Sequence, residues 1–354
     1  MQGTTQAAVL FETGKPLRII DLTLPELKPG QVLVDVAYSG VCHSQLNEVR
    51  GHKGPDRFLP HTLGHEGAGT VVAVGQGVTK ARPGDSVVLS WLKGNGADVP
   101  GTVYDSSEGP VNSGAISTFM RRTITCENRV TVVPESIPGR LGALLGCAVP
   151  TGAGVVLNAS GLKPGDSVAV FGAGGIGLSA IMGAASVGAT TIIAVDPVAA
   201  KRAKALELGA THVLDPSEGD AVAAIRKLTG GRGVNVAIEC AGQVAAMEAA
   251  FESVTSGGGL CVIAGNPHQG QTMHVNPYSL IGGKRLVGTW GGETRPDVDI
   301  PRYIDMFRSG RLALEKLGAQ QYPLEQINQA LADLEAGRVV RAMIRMAGED
   351  GPLP

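Results

Sequence analysis

The sequence has few cysteines, almost no net charge and no block of like-charged residues. Its five cysteines, at positions 42, 126, 147, 240 and 261, are odd in number and scattered, so they do not form a disulfide framework. The 30 basic and 32 acidic residues nearly cancel, and no basic block suits nucleic acid or an anionic membrane surface. These absences leave a small molecule as the expected partner, with no nucleic acid and no membrane.

A signal segment and a membrane span are also missing. The amino terminus has no charged segment followed by an apolar core, which together with the cysteine usage predicts a cytoplasmic protein. Residues 167–195 carry no charge and could be mistaken for a membrane helix, but six glycines interrupt them. Buried parallel strands read as continuous apolar runs and explain the same composition.

Residues 165–196 have the pattern of a dinucleotide-binding unit. An apolar strand ends at Phe171, a glycine-rich turn and a helical stretch follow, and a second strand ends at Asp196; the turn contains Gly172, Gly174, Gly175, Ile176 and Gly177. These glycines would allow a tight turn, a close backbone approach to the pyrophosphate and close packing of helix on strand. The pattern predicts a bound dinucleotide.

Asp196 indicates which dinucleotide is expected. It lies 24 residues after Gly172, close to the roughly 20 expected of the acid that binds the adenosine ribose. A carboxylate there accepts hydrogen bonds from the ribose hydroxyls and repels a 2'-phosphate, which predicts NAD over NADP. The alternative is an aspartate that only caps the next helix, and the nearby Lys201 and Arg202 could soften the discrimination.

Three separated residues, Cys42, His65 and Cys147, are candidate metal ligands. A Cys2His set supplies three protein ligands and leaves the fourth tetrahedral position of zinc open, as a catalytic site requires. The three lie 23 and 82 residues apart, so no local spacing rule supports them. Each alone could equally be a buried core residue, and the residues by themselves leave both interpretations open.

The chain divides into three stretches. Residues 1–149 are rich in strand-like runs, among them a predicted strand at residues 124–133. Residues 150–290 alternate six strand candidates with helical runs, and residues 291–354 indicate two helices and a closing strand. The alternating middle stretch predicts an α/β protein with a doubly wound parallel sheet.

Taken in order along the chain, four motifs resemble the zinc-dependent medium-chain alcohol dehydrogenases. They are Gly-Val-Cys-His-Ser at Cys42, Gly-His-Glu-Gly-Ala-Gly at His65, Cys147, and the glycine-rich turn. The resemblance covers essentially the whole chain. It implies a GroES-like catalytic domain formed by residues 1–149 and 291–354, a Rossmann NAD-binding domain at residues 150–290, and an active site in the cleft between them. It also implies a homodimer or homotetramer in which the strand at residues 285–289 pairs with its copy.

The resemblance also assigns roles to individual residues. It implies that Cys42, His65 and Cys147 bind one catalytic zinc per chain, with water or substrate oxygen as the fourth ligand. Glu66 would lie near the metal, Ser44 would relay the substrate proton, and Thr151 would lie beside the nicotinamide. Besides the glycine-rich turn and Asp196, the residues expected to contact the cofactor are His43, Lys201 and Arg341.

These features predict an oxidoreductase that transfers a hydride between NAD and an alcohol, polyol or sugar-like hydroxyl. Zinc would lower the pKa of the substrate oxygen, and the cofactor would carry the hydride. One alternative is a zinc-free reductase of activated double bonds, whose members lack the ligand set. The other is a non-catalytic NAD-binding protein, which the intact Ser44 and Thr151 disfavour.

Three positions depart from the family pattern. Residues 90–113, where many members hold a structural zinc with four cysteines, contain no cysteine and no histidine, so we expect a single zinc. Gln45 stands where relatives often have an acid that orients the ligand histidine, and would donate less charge to the metal shell. Asn47 stands where some relatives have the last histidine of the proton relay, so the exit route of the proton beyond Ser44 differs.

Overall fold

The computed structural model describes residues 3–133 and 137–346, which form two compact units. The first contains the described residues up to Cys147, Arg295–Asp305, and those from Ala319 onward. The second contains Ala148–Thr294 and Met306–Gly318. The last of these segments departs from the predicted division, because the short helix Leu314–Leu317 packs on a helix of the second unit.

The described elements follow in chain order. The strands are β1 Thr4–Leu10, β2 Arg18–Thr23, β3 Gln31–Val41, β4 His61–Thr62, β5 Glu66–Val74, β6 Ser86–Ser90, β7 Val103–Ser106, β8 Gly109–Asn112, β9 Arg122–Cys126, β10 Val130–Val132, β11 Ser167–Phe171, β12 Thr191–Val195, β13 His212–Leu214, β14 Val236–Glu239, β15 Leu260–Ile263, β16 Arg285–Gly288, β17 Gln320–Pro323 and β18 Ala342–Arg345. The helices are α1 His43–Val49, α2 Gly139–Leu144, α3 Ala148–Gly154, α4 Gly175–Ser186, α5 Ala199–Glu207, α6 Ala221–Leu228, α7 Val244–Ser253, α8 Pro277–Ile281, α9 Pro296–Arg308 and α10 Ile327–Glu335. Short 3-10 turns lie at Glu127–Arg129, Gly291–Glu293, Leu314–Leu317 and Leu324–Gln326, and a π-helical turn at Val155–Ala159.

The first unit is built from β-structure. Strands β1, β2, β7, β8 and β4 form a closed barrel, and a second sheet has the order β10-β6-β5-β3-β18-β17, with β9 also paired to β3. Apolar side chains from β3, β5 and β6, such as Val34, Val71 and Leu89, form its larger core with α10. This core places the end of β3 and the start of β5, which carry two of the candidate ligands, in adjacent strands.

One predicted strand, residues 124–133, is wrong as a single element. It consists of β9 and β10, separated by the 3-10 turn Glu127–Arg129. The turn brings the Glu127 carboxylate to three backbone N–H groups, those of Thr79 at 2.6 Å, Lys80 at 2.8 Å and Ala97 at 2.8 Å. Because Ala97 belongs to the cysteine-free segment 90–113, these hydrogen bonds help to hold that segment.

The second unit is a parallel sheet covered by helices. Its strand order is β13-β12-β11-β14-β15-β16, which is the order of a doubly wound sheet, the architecture predicted from the sequence. Ligands of such sheets bind at the carboxyl ends of the strands, where the strand order reverses. Here that point lies between β11 and β14, whose ends are Phe171 and Glu239.

The turn after β11 requires glycine at two positions. Gly172 has a φ of +90°, which side chains rarely adopt, and a Cβ on it would lie 2.8 Å from the backbone nitrogen of Ala241. A Cβ on Gly177 would lie 1.8 Å from the carbonyl oxygen of Gly172, so any other residue would push α4 away from the strand.

Among the residues that the structure describes, no helix is both long and apolar enough to cross a membrane.

Candidate active site

Cys42, His65 and Cys147 come together in the first unit. Cys42 lies between β3 and α1, His65 lies just before β5, and Cys147 lies between α2 and α3. Their ligand atoms all lie within 4.8 Å of one another, and Nε2 of His65 is 3.3 Å from Sγ of Cys147. Segments that are distant in the sequence thus converge on one point.

The donor set fits zinc. A zinc ion with ordinary bond lengths and tetrahedral angles holds a thiolate sulfur and an imidazole nitrogen about 3.6 Å apart. The observed 3.3 Å between His65 and Cys147 is close to that spacing. Two sulfurs and one nitrogen leave one tetrahedral position without a protein ligand, which is the composition of a catalytic site and not of a closed structural one.

The two thiols already influence each other. The hydrogen bond with Cys147 lowers the pKa of the Cys42 thiol well below its usual value, and His65 lowers it further. The same contact with Cys42, together with burial, raises the pKa of Cys147. Zinc binding would require both thiols to lose their protons. Zinc and protons would therefore compete for these two sulfurs.

Neighbouring residues hold the ligands in place. The Gln45 side chain contacts two of them, because its Oε1 accepts from the Cys42 N–H at 3.1 Å and its Nε2 contacts Nδ1 of His65. Ser90 Oγ donates to the carbonyl oxygen of Gly146 at 2.7 Å and so anchors the Cys147 turn to β6. A Cβ on Gly146 would lie 2.3 Å from the carbonyl oxygen of Leu89, so glycine permits that close approach.

Sequence reasoning missed Ser90 and Gly146. The only available signal for Gly146 was its place directly before Cys147, and Ser90 offers no motif at all. Both act by bringing the Cys147 turn against a strand that lies far away in the sequence, and a pattern search along the chain does not detect such contacts.

Glu66 and Arg341 form a buried ion pair beside the ligands. Nη2 of Arg341 contacts Oε1 of Glu66, and both side chains are almost fully buried. Burial lowers the pKa of Arg341, but Glu66 and the two cysteines more than compensate, so its pKa is raised and its charge is retained. Gly40 makes room for the pair, because a Cβ there would lie 2.6 Å from Oε1 of Glu66.

The residues of α1 that follow Cys42 differ in exposure. His43 is exposed, Ser44 is half-buried, and Asn47 is half-buried one turn later. The Oδ1 atom of Asn47 lies 3.4 Å from Nδ1 of His52, an exposed histidine that follows α1. No motif in the sequence singles out His52, although it lies close to Asn47, the position at which some relatives have the last histidine of the relay.

A cavity of about 450 Å³ in the first unit borders the candidate ligand His65. Polar side chains contribute much of its wall, among them His61 and Ser113. Nε2 of His61 lies 2.8 Å from Oδ2 of Asp56, and the His61 ring is buried. This cavity therefore offers hydrogen-bonding groups close to the ligand cluster.

The remaining predicted site residues lie in the second unit. Thr151, in α3, is buried, and its hydroxyl has no hydrogen-bond partner among the described residues. A buried hydroxyl without a partner is uncommon and fits a group supplied by a bound cofactor. The helix α4 begins at Gly175, directly after Gly174, and its free N–H groups can bind a pyrophosphate.

Asp196 connects the glycine-rich turn with α5. Its Oδ2 accepts from the N–H of Ala173 at 2.8 Å, and its Oδ1 accepts from the N–H of Val198 at 2.8 Å. The contact with Val198 is a turn contact just before α5, whose N-cap residue is Val198 itself, so it is not the helix cap of the alternative interpretation. The carboxylate is still able to bind ribose hydroxyls, because each oxygen accepts more than one hydrogen bond.

Two families match the chain. Residues 28–135 match the alcohol dehydrogenase GroES-like domain, and residues 175–309 match the zinc-binding dehydrogenase family. A relative from Amycolatopsis methanolica, an NDMA-dependent alcohol dehydrogenase, is 37% identical over 96% of this chain and 98% of its own length. The crystal structure of benzyl alcohol dehydrogenase from Acinetobacter calcoaceticus is 32% identical, covers 98% of this chain and 100% of that one, and has a TM-score of 0.89. A zinc-binding dehydrogenase from Sinorhizobium meliloti, bound to NADP, is 26% identical with a TM-score of 0.80, over 98% of this chain and 100% of its own.

The chain belongs to the zinc-dependent medium-chain alcohol dehydrogenase family. The predicted fold class, a GroES-like β-rich domain with a Rossmann domain, is confirmed. So is the prediction of an enzyme that interconverts alcohols and carbonyl compounds with a nicotinamide cofactor. The individual site residues stay predictions, as does the choice between NAD and NADP.

Proposed function

We propose that this protein is an NAD-dependent alcohol dehydrogenase with one catalytic zinc, bound by Cys42, His65 and Cys147. The single observation that carries the proposal is the convergence of these three donors within 4.8 Å. If the three were ordinary core residues, nothing would bring two sulfurs and a nitrogen to the spacing found around a zinc ion. The same observation argues against a zinc-free reductase, whose members lack the set.

Zinc at this site would act as a Lewis acid that acidifies an alcohol oxygen. Ser44 is half-buried and two residues from Cys42, and it passes the substrate proton toward solvent. An ordinary hydroxyl is a poor base at neutral pH, so Ser44 acts as a relay and not as the final acceptor. The Glu66–Arg341 pair places a carboxylate beside the ligands without supplying a fourth one.

The second unit binds the cofactor. Gly172, Gly174 and Gly177 let the backbone approach the pyrophosphate at the start of α4. Asp196 accepts hydrogen bonds from the ribose and excludes a 2'-phosphate, which favours NAD. The buried Thr151 hydroxyl donates or accepts a hydrogen bond beside the nicotinamide. Lys201, on α5, is a further proposed contact, and His43 and Arg341 are proposed cofactor contacts that belong to the first unit.

The cavity beside His65 supports a hydroxylated substrate. Its wall includes Asn112 and Ser113, whose side-chain oxygens can accept a hydrogen bond from a second hydroxyl group of the substrate. A polyol should therefore be oxidised with a lower KM than the mono-alcohol of equal length. Initial rates with 1,2-butanediol and 1-butanol test this, and equal KM values would contradict it.

The assembly and location follow from surface and cysteine features. Strand β16 is at the edge of its sheet, with Val287 43% exposed, and an unpaired edge tends to be covered. We infer a homodimer through this edge or a larger homo-oligomer, and a monomeric mass by light scattering would contradict it.

All five cysteines are free, which supports a reducing, cytoplasmic location.

The proposal is tested by combining metal analysis with an activity assay. Untreated protein should contain one zinc per chain and form NADH with at least one alcohol from a panel of alcohols, polyols and sugars. Chelation should remove the zinc and abolish activity while most of the fold survives, because the first unit has a large apolar core of its own. Two zincs per chain, or full activity without zinc, would each overturn it.

A further inference from the structure

Two aspartates follow neighbouring strands at the carboxyl end of the parallel sheet. Strands β12 and β13 are neighbours, with Val195 opposite Leu214, so the next residues along each strand are Asp196 and Asp215. The N–H of Asp196 donates to the carbonyl oxygen of Leu214 at 3.1 Å, which keeps the two strand ends in register. Asp215 played no part in the proposed cofactor site.

Arg202, on α5, is held at this corner. Its Nη1 donates to the carbonyl oxygen of Asp196 at 2.7 Å and to Oδ2 of Asp215 at 2.7 Å. The ion pair is largely buried, with 17% of the Arg202 side chain and 11% of the Asp215 side chain exposed. Asp215 is itself fixed, because its Oδ1 accepts from Ser217 N at 2.9 Å and from Ser217 Oγ at 2.6 Å.

This arrangement determines which cation is available to a dinucleotide. An arginine near the ribose is the group that accommodates the 2'-phosphate of NADP, since its planar guanidinium can bind two phosphate oxygens at once. Here the Asp215 carboxylate already accepts a hydrogen bond from Nη1 of Arg202. The side chain of Lys201, its neighbour on α5, forms no hydrogen bond or ion pair within the described residues, but an ammonium cannot provide the same two-point contact.

We infer that Asp215 is a positioning residue for cofactor choice: by holding Arg202, it withholds a guanidinium that could bind a 2'-phosphate at this corner. It thereby reinforces the preference for NAD that Asp196 establishes. The inference rests on the proposed NAD-dependent function, and it adds a residue that never needs to touch the cofactor.

Replacing Asp215 by asparagine tests the inference. Asp215→Asn keeps an acceptor for Ser217 but removes the charge that holds Arg202, so Arg202 can turn toward a 2'-phosphate. A charge-assisted hydrogen bond gained in this way should raise the ratio of NADP to NAD affinity by about tenfold or more. Isothermal titration with NAD and with NADP measures this without any alcohol, and kcat/KM for both cofactors provides a second readout.

The double variant Asp215→Asn/Arg202→Gln distinguishes the effect of a released Arg202 from the effect of removing the negative charge of Asp215. If the inference holds, Arg202→Gln alone leaves the ratio low and the double variant loses most of the gain. An equal gain with and without Arg202 would overturn the inference, because removal of a negative charge would then suffice. No gain in Asp215→Asn would overturn it as well.

Two further variants complete the test. Glu207→Gln removes one negative charge from the same helix, where Glu207 pairs with Lys204, and should leave the ratio unchanged. If Asp215→Asn does not fold, Ser217→Ala loosens Asp215 without removing its charge and should raise the ratio by a smaller factor. No change in Ser217→Ala would then overturn the inference.

Failure of the proposed function would look different. A wild type that binds NAD more tightly than NADP, yet forms no NADH with any alcohol, would refute the dehydrogenase activity and leave the inference about Asp215 intact. A wild type that prefers NADP would refute the cofactor choice itself.

Discussion

The two candidate sites of this chain are built in opposite ways. In the first unit, the candidate zinc donors come from three segments 23 and 82 residues apart, and only the packing of β3, β5 and α2 brings them together. In the second unit, the glycine-rich turn is one continuous segment whose shape is dictated by its own residues. The first site therefore depends on tertiary structure, whereas the second depends on local backbone geometry.

The largest expected effect is at the assembled site. Cys147→Ser removes a thiolate, and loss of the Lewis acid should lower kcat/KM by at least about 10³-fold, since metal stabilisation of developing charge is worth several kcal/mol. Zinc content should fall below one per chain in the same preparation. Elemental analysis and initial rates check both quantities.

Cys126→Ser is the matched control for this experiment. Cys126 is buried in the same unit, and its Sγ lies 3.0 Å from Oδ1 of Asn128 but is not part of the donor cluster. That variant should keep its zinc and most of its activity. Zinc retained at one per chain in Cys147→Ser would remove Cys147 from the ligand set.

The next largest effect concerns the proton at the same site. Ser44→Ala should lower kcat by roughly 10² to 10⁴-fold, the range typical of a positioned proton-transfer group. Asn47→Ala should have a much smaller effect, because water can take the place of its side chain. Steady-state rates with zinc content verified make the comparison, and near-normal turnover in Ser44→Ala would mean that the serine only supports the turn after Cys42.

A pair of buried glutamates extends the comparison to stability. Glu66 in the first unit has Arg341 as its counter-ion, whereas Glu239 in the second unit forms no ion pair among the described residues and accepts from the N–H groups of Ala241 and Gly242 at 2.7 Å each. Burial raises the pKa of Glu239 from 4.5 to about 7, against the opposing effect of these hydrogen bonds.

The raised pKa makes the second unit less stable at high pH. The folded state holds the Glu239 proton more tightly than the unfolded state, so the contribution is fully present below about pH 4.5 and is lost as the pH rises through about 7. The loss should be on the order of 3 kcal/mol, and Glu239→Gln should abolish it. Hydrogen exchange of the β11 and β14 amides between pH 5 and 8 measures the change, with the exposed Glu207→Gln as the control; equal pH dependence in Glu239→Gln and wild type would contradict the assignment.

The sequence predicted the second unit almost completely and the first only in outline. All six strands of the parallel sheet were predicted, and the four inner ones appear as short apolar runs because both of their faces are buried. The glycine-rich turn was also predicted, since the positive φ at position 172 favours glycine and so appears directly in the sequence. In both cases the structural constraint acts within a few residues of the signal.

In the first unit the constraint acts at a distance. Nothing local distinguishes Cys147 from Cys126, and only the family resemblance separated the ligand from the core cysteine. The break between β9 and β10 was missed because its cause, the contact of Glu127 with Thr79, Lys80 and Ala97, joins segments 30 to 48 residues apart. The ion pair of Arg202 with Asp215, in the second unit, was missed because it joins a helix to the end of a strand 13 residues later in the sequence.

The smallest expected effect tests whether different glycines of the glycine-rich turn serve stability and cofactor binding. A Cβ on Gly177 would lie 1.8 Å from the Gly172 carbonyl oxygen, so Gly177→Ala should destabilise the second unit by about 1–3 kcal/mol through overpacking. A Cβ on Gly174 meets no atom within 4 Å, so Gly174→Ala should leave stability almost unchanged. Because Gly174 lies where the pyrophosphate is proposed to bind, its methyl group should still weaken NAD binding. Thermal unfolding and NAD titration of both variants distinguish the two roles: if Gly174→Ala binds NAD as well as the wild type, the pyrophosphate does not approach the backbone at Gly174.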